Sequence, residues 1–142
     1  MDARLKDLRV LLVDDSRLIL KLMPVMLGQL GIVQIDSANH AGEAEEKMAN
    51  QKYDIVFLDW RMPGKTGLAF FEECKVKPAY QDIAFVFVSG GTEQDQIDKV
   101  LQAGAAEYII KPFTAAVIEE KMAKVTAWLE KRGCLDPVRP VG

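Results

Sequence analysis

Ile55-Val56-Phe57-Leu58-Asp59 is the stretch whose reading decides the fold. Four apolar residues, β-branched and aromatic ones among them, run without alternation into a single carboxylate. A strand buried on both faces has this composition, because neither face needs a polar side chain. The pattern recurs three times. Val10-Leu11-Leu12-Val13 ends in Asp14-Asp15, Phe85-Val86-Phe87-Val88 ends in Ser89, and Tyr108-Ile109-Ile110 ends in Lys111-Pro112. Strands of an open parallel sheet point their carboxyl ends at one edge, and ligands bind there. The pattern predicts three carboxylates, a hydroxyl and an ammonium in one place.

Charge decides what such a place holds. Two carboxylates about 4 Å apart repel by roughly 4 kcal/mol at a surface-like dielectric. Three of them raise one another's pKa or meet a cation. An oxygen-liganded divalent ion answers this, and Mg²⁺, which keeps waters and uses few carboxylates, fits the set. Lys111 adds a charge that is useful when an anion also visits. A carboxylate-held metal, a lysine and a hydroxyl together clamp a phosphoryl group. A carboxylate can itself be the nucleophile, giving an aspartyl-phosphate.

Outward from the strands the chain reads as helices. Leu18, Leu22 and Met26 with Ile19, Met23 and Leu30 predict the inward stripe of a first helix, kinked at Pro24. A second spans about 41–51, and Leu68, Phe71 and Val76 mark a third. Thr92 and Asp95 form the capping-box pattern of a fourth, which Gly104 ends. Thr114 caps a fifth, in which Ile118, Met122, Val125 and Leu129 face inward and Lys131-Arg132-Gly133 is the stop. Val33-Gln34-Ile35 supplies the remaining strand. Right-handed crossovers then give a flavodoxin-like, doubly wound (βα)5 domain: a five-stranded parallel sheet covered by five helices. It is placed at 1–132, with 133–142 as a short tail.

The order Asp14-Asp15, Asp59-x-x-Met62-Pro63-x-x-x-Gly67, Ser89-Gly90 and Lys111-Pro112-Phe113 resembles the receiver domain of two-component response regulators. The spacing is similar to that of CheY-like single-domain regulators, from about Leu8 to Arg132. Each element alone is common; all of them in order, each at a strand end, are specific. The resemblance implies that Asp59 is the phosphoacceptor. It implies Mg²⁺, or Mn²⁺ in its place, on Asp15, Asp59 and the backbone carbonyl of Arg61, with Asp14 acting through a water. Lys111 and Ser89 would contact the phosphoryl oxygens, and Ser89 and Tyr108 would form the switch. A sensor histidine kinase or histidine phosphotransfer protein would donate the phosphoryl group in a Mg-dependent reaction. The surface of the fourth helix, fifth strand and fifth helix would then bind a downstream protein. The module signals and does not serve as an enzyme, beyond promoting its own phosphorylation and dephosphorylation. One departure is Ala41, where the family usually has glycine before Glu43-Ala44. Arg61 and Gly91 occupy the two rims where the family tunes phosphoryl lifetime.

Plainer readings stand beside these. Asp14 and Asp15 suit a helix N-terminus, Ser89 a turn, Lys111 a solvated surface and Tyr108 a half-buried strand. His40, the single histidine, has no partner spacing and is assigned nothing. A receiver that only relays or stores phosphate, and one that binds partners without phosphorylation, are alternatives within the family. A haloacid-dehalogenase-type phosphatase needs Asp-x-Asp, whereas Asp59-Trp60-Arg61 stands here. A flavodoxin needs a Ser/Thr/Gly-rich phosphate loop where Asp14-Asp15 stands.

Composition agrees with one domain. Of 142 residues 49% are hydrophobic and 27% charged, and the net charge of −3 gives no basic field for direct nucleic-acid binding. No apolar run is long enough for membrane insertion, and Met1 to Asp7 lack the core of a signal peptide. Cys74 and Cys134 have no metal spacing. The cytoplasm is the expected location.

Overall fold

The computed structural model describes residues 2–137. Its strands are β1 (Arg9–Val13), β2 (Gln34–Ala38), β3 (Ile55–Leu58), β4 (Ala84–Ser89) and β5 (Glu107–Ile110). Alternating with them are α1 (Arg17–Gln29), α2 (Ala41–Asn50), α3 (Gly67–Lys75), α4 (Gln94–Gln102) and α5 (Ala115–Lys131). All strand pairs are parallel, in the order β2-β1-β3-β4-β5. This is the flavodoxin-like order, already known for CheY-type regulators, and its switch point lies between β1 and β3.

The sheet separates two apolar layers. On one face Leu11, Val13, Val56, Leu58, Phe85, Phe87 and Tyr108 pack against α2, α3 and Val100 of α4. On the other Val10, Leu12, Ile55, Phe57, Val86, Val88 and Ile109 pack against α1 and α5. Every residue of β3 and β4 is buried, as continuous apolar runs predict. β2 lies at an edge, begins one residue after Val33, and is only half-buried over Gln34–Ser37. Val33 itself is exposed.

The helix ends follow local chemistry, with corrections at Thr92, Val76, His40 and the inward side of α1. Ser16, Thr66 and Thr114 accept from the backbone N–H groups of Ile19, Ala69 and Val117, capping α1, α3 and α5. Thr92 does not cap α4, which starts after Glu93 without a side-chain cap. In α1 the buried residues are Met23 and Leu27, while Leu18 is 69% exposed and Leu22 is also exposed. Arg17 and Lys21, one turn apart, mark the exposed side of that helix; Leu18 and Leu22 lie next to that side and not opposite it, and the helix runs on through Pro24. Val76, expected to face the core, is the exposed C-cap of α3. His40 has a role after all, its Nδ1 accepting from the Glu43 N–H at the start of α2.

After α5, Gly133 takes positive φ, and Cys134 and Leu135 pack back on the α1/α5 layer. The rest of the expected tail, 138–142, lies outside the described residues. No helix among the described residues is long and apolar enough to cross a membrane.

Candidate functional site

The site residues are held by the sheet's own ladder, continued one residue past the strands. Asp14 N–H donates to Ala38 O (3.1 Å), Asp59 N–H to Val13 O (2.9 Å) and Lys111 N–H to Ser89 O (2.8 Å). The backbone thus delivers Asp14, Asp59, Ser89 and Lys111 to one end of the sheet. Asp14, Asp59 and Ser89 are buried there and Asp15 is exposed. Carboxylate oxygens of Asp14, Asp15 and Asp59 lie within 4.8 Å of one another.

The three carboxylates are not equivalent. Asp14 is already engaged: Oδ1 accepts from Ser16 N–H (2.8 Å) and Oδ2 from Lys111 Nζ (2.8 Å). Asp59 is only 3.6 Å from the same ammonium. Burial, and then the charge of Asp14, push the Asp59 carboxyl up to about 6; Lys111 and the Arg61 backbone N–H pull the other way. Asp59 is thus ionised at a cost that an added cation would offset. Asp15, exposed beside it, opens the cluster to solvent.

Gly67 fixes the loop after Asp59. Its N–H donates to Trp60 O (2.8 Å), and a Cβ here would lie 2.0 Å from the carbonyl oxygen of Asp59. Only glycine permits that approach. Arg61 is exposed at the rim. Across the site, Ser89 Oγ accepts from Gly91 N–H (3.4 Å). Tyr108, expected on the movable surface, is buried with 2% exposure, and its hydroxyl donates to Gly91 O (3.0 Å).

A profile of the response regulator receiver domain matches residues 10–123. The chain belongs to that family. Receiver domains are signalling modules governed by phosphorylation; they bind Mg²⁺ in an acidic pocket and interact with kinases and downstream targets. The chain is 29% identical over 118 residues to the chemotaxis protein CheY of Pseudomonas aeruginosa, covering 83% of this chain and 95% of that protein. It is similar to the structure of the response regulator TrrA of Thermotoga maritima, in complex with Mg²⁺ and beryllofluoride (31% identity, TM-score 0.70, 82% of this chain and 97% of that one). The fold also matches the chemotaxis response regulator CheY4 of Vibrio cholerae (24% identity, TM-score 0.76, 83% of this chain and 98% of that one).

The structure brings together all the acidic residues, the serine and the lysine that the strand ends predict. Trp60 and Phe87 escaped notice as site neighbours. Trp60 follows Asp59 directly and Phe87 stands two residues before Ser89, but their packing against each other is tertiary.

Proposed function

We propose that Asp59 accepts a phosphoryl group, from a sensor histidine kinase or a histidine phosphotransfer protein, in a Mg²⁺-dependent reaction. The observation that carries this is the Asp14–Asp15–Asp59 cluster, two of its carboxylates buried and one open to solvent, with Lys111 and Ser89 at its rim. The residues suit a hard cation: three carboxylates face one ammonium, and burial makes the Asp59 charge costly to hold without further positive charge. Asp15, Asp59 and the Arg61 carbonyl would hold Mg²⁺, or Mn²⁺ in its place, and Asp14 would act through a water. The ion supplies neutralisation of phosphoryl oxygen charge.

The chain's own groups do the rest. An Asp59 carboxylate oxygen attacks phosphorus; the new O–P bond forms as the donor's N–P bond breaks, and the donor imidazole leaves with the electron pair of that bond and takes up a proton. Lys111, held at 2.8 Å from Asp14, meets the transferred oxygens, and the Ser89 hydroxyl reorients toward them. The α4-β5-α5 surface then changes its affinity for a downstream protein, through Ser89 and Tyr108. Nothing in this scheme requires nucleic acid or membrane insertion, and the cytoplasm is the compartment it fits.

Incubation with Mg²⁺ and acetyl phosphate, followed by intact-mass spectrometry, tests the reading. One added phosphoryl group, absent in Asp59→Asn, is expected; full labelling of Asp59→Asn contradicts it. NMR shifts confined to the loop after Asp59 would instead mark a receiver that relays phosphate without a surface output.

A further inference from the structure

All the close ring pairs found among the described residues lie on the α2/α3/α4 face of the sheet, and three of the four share Phe87. Phe87 is fully buried. Its centroid is 5.4 Å from Trp60, 5.4 Å from Phe71 and 6.4 Å from Tyr108. Phe71 of α3 meets it edge-on at 85°, which fixes its plane, and Tyr108 stacks on that plane within 14°. Trp60 follows Asp59 directly, and its main chain is pinned by Gly67. At the far end the Tyr108 hydroxyl donates to Gly91 O, and Gly91 N–H donates to Ser89 Oγ. A Cβ at position 91 would already stand 3.3 Å from the Tyr108 hydroxyl, so this seat is tight. The two rims of the acidic site are therefore joined behind it by a closed path of packing and hydrogen bonds.

We propose that Phe87 is a positioning residue: through Trp60 on one side and Tyr108 on the other, it makes the seat of Ser89 depend on the loop that carries Asp59. Interiors are close-packed, and a ring held on three sides passes a displacement on more readily than it absorbs it. A leucine at 87 fills part of the volume but offers no plane for Tyr108. The proposal goes beyond the phosphoryl reading and concerns the free protein, so it holds or fails without a phosphodonor.

The test reads the ¹³C shift of the Gly91 carbonyl, which reports the hydrogen bond from Tyr108, with Tyr108→Phe as the bond-free reference. Phe87→Leu is expected to move that shift toward the Tyr108→Phe value, and Trp60→Leu to move it the same way. Adding Trp60→Leu to Phe87→Leu should change nothing further. A Phe87 that merely fills space beside Tyr108 would leave Trp60→Leu with the wild-type carbonyl. That result, a wild-type carbonyl in folded Phe87→Leu, or an undiminished effect of Trp60→Leu without Phe87 overturns the proposal. If Phe87→Leu does not fold, Trp60→Leu alone decides: a moved carbonyl supports the coupling and a wild-type one overturns it.

Discussion

The two ends of this sheet treat their buried and half-buried carboxylates in opposite ways. Where the strands begin, such carboxylates find partners. Glu107 accepts from its neighbour's N–H (Tyr108, 2.9 Å) and pairs with Lys121 (3.2 Å). Asp54 accepts from Arg9 N–H, and Glu130 and Asp2 share Arg4. Asp36, on the β2 edge, takes the hydroxyl of Tyr53, whose phenol is pushed up to about 12 by burial and that partner. Where the strands end, three carboxylates crowd one ammonium and Asp59 stays under-compensated. Folding alone explains the first arrangement. The second costs stability and is explained by a ligand that brings positive charge.

The same substitution at the two ends should show the largest contrast. Gly67→Ala puts a Cβ 2.0 Å from the Asp59 carbonyl oxygen, and a loss of about 3 kcal/mol or more in urea unfolding is expected. Gly28, near the end of α1, has nothing within 4 Å of its missing Cβ. A near-wild-type Gly67→Ala would mean that the loop holding Asp59 is free to move, and the crowding with it.

Removing a carboxylate should have opposite signs at the two ends. Asp59 holds its proton more tightly folded than unfolded, about 6 against an ordinary 3.8. Its contribution is fully present below pH 3.8 and is lost as pH rises through 6, at a cost of about 3 kcal/mol when ionised without metal. Asp59→Asn is therefore expected to gain about 1–3 kcal/mol at pH 7.5 in chelator, a gain that fades below pH 4. Glu107→Gln should lose about 1–2 kcal/mol by weakening a buried charged pair. Equal signs for the two variants break the comparison.

Metal binding should sharpen it. Mg²⁺ is expected to raise the unfolding temperature at pH 7.5 by mass action, and less at pH 5, where Asp59 keeps its proton. Asp15→Ala should weaken Mg²⁺ about tenfold, roughly 1.4 kcal/mol, and more than Asp14→Ala does. Calorimetric affinities that are equal for all three proteins contradict the assignment. The smallest effect belongs to Gly28→Ala, a gain of about 0.5–1 kcal/mol from the helix interior.

Legibility in the sequence followed the same division of chemistry. β1, β3, β4 and β5 could be read because strands covered on both faces are unbroken apolar runs, and the site residues could be read because each ends one. β2 was faint because an edge strand is half-solvated, and Gln34-Ile35-Asp36-Ser37-Ala38 carries that mixture. The inward side of α1 was misread at Leu18 and Leu22 because the apolar spacing was followed without the exposed pair Arg17 and Lys21, which sets the phase. Thr92 matched a capping pattern whose geometry the chain does not adopt, and the His40 cap uses a ring nitrogen outside the usual capping set. The seat of Tyr108 was hidden because it depends on Phe87 and Gly91, which only the fold brings to it.

Its surroundings make Asp59 harder to ionise than an ordinary carboxyl, and added positive charge should make it easier. A ¹³C NMR titration of the Asp59 carboxyl carbon tests it most directly. Without metal the midpoint should fall near pH 6, and saturating Mg²⁺ should carry it well below that. A midpoint near 3.8 that Mg²⁺ does not move would contradict the account.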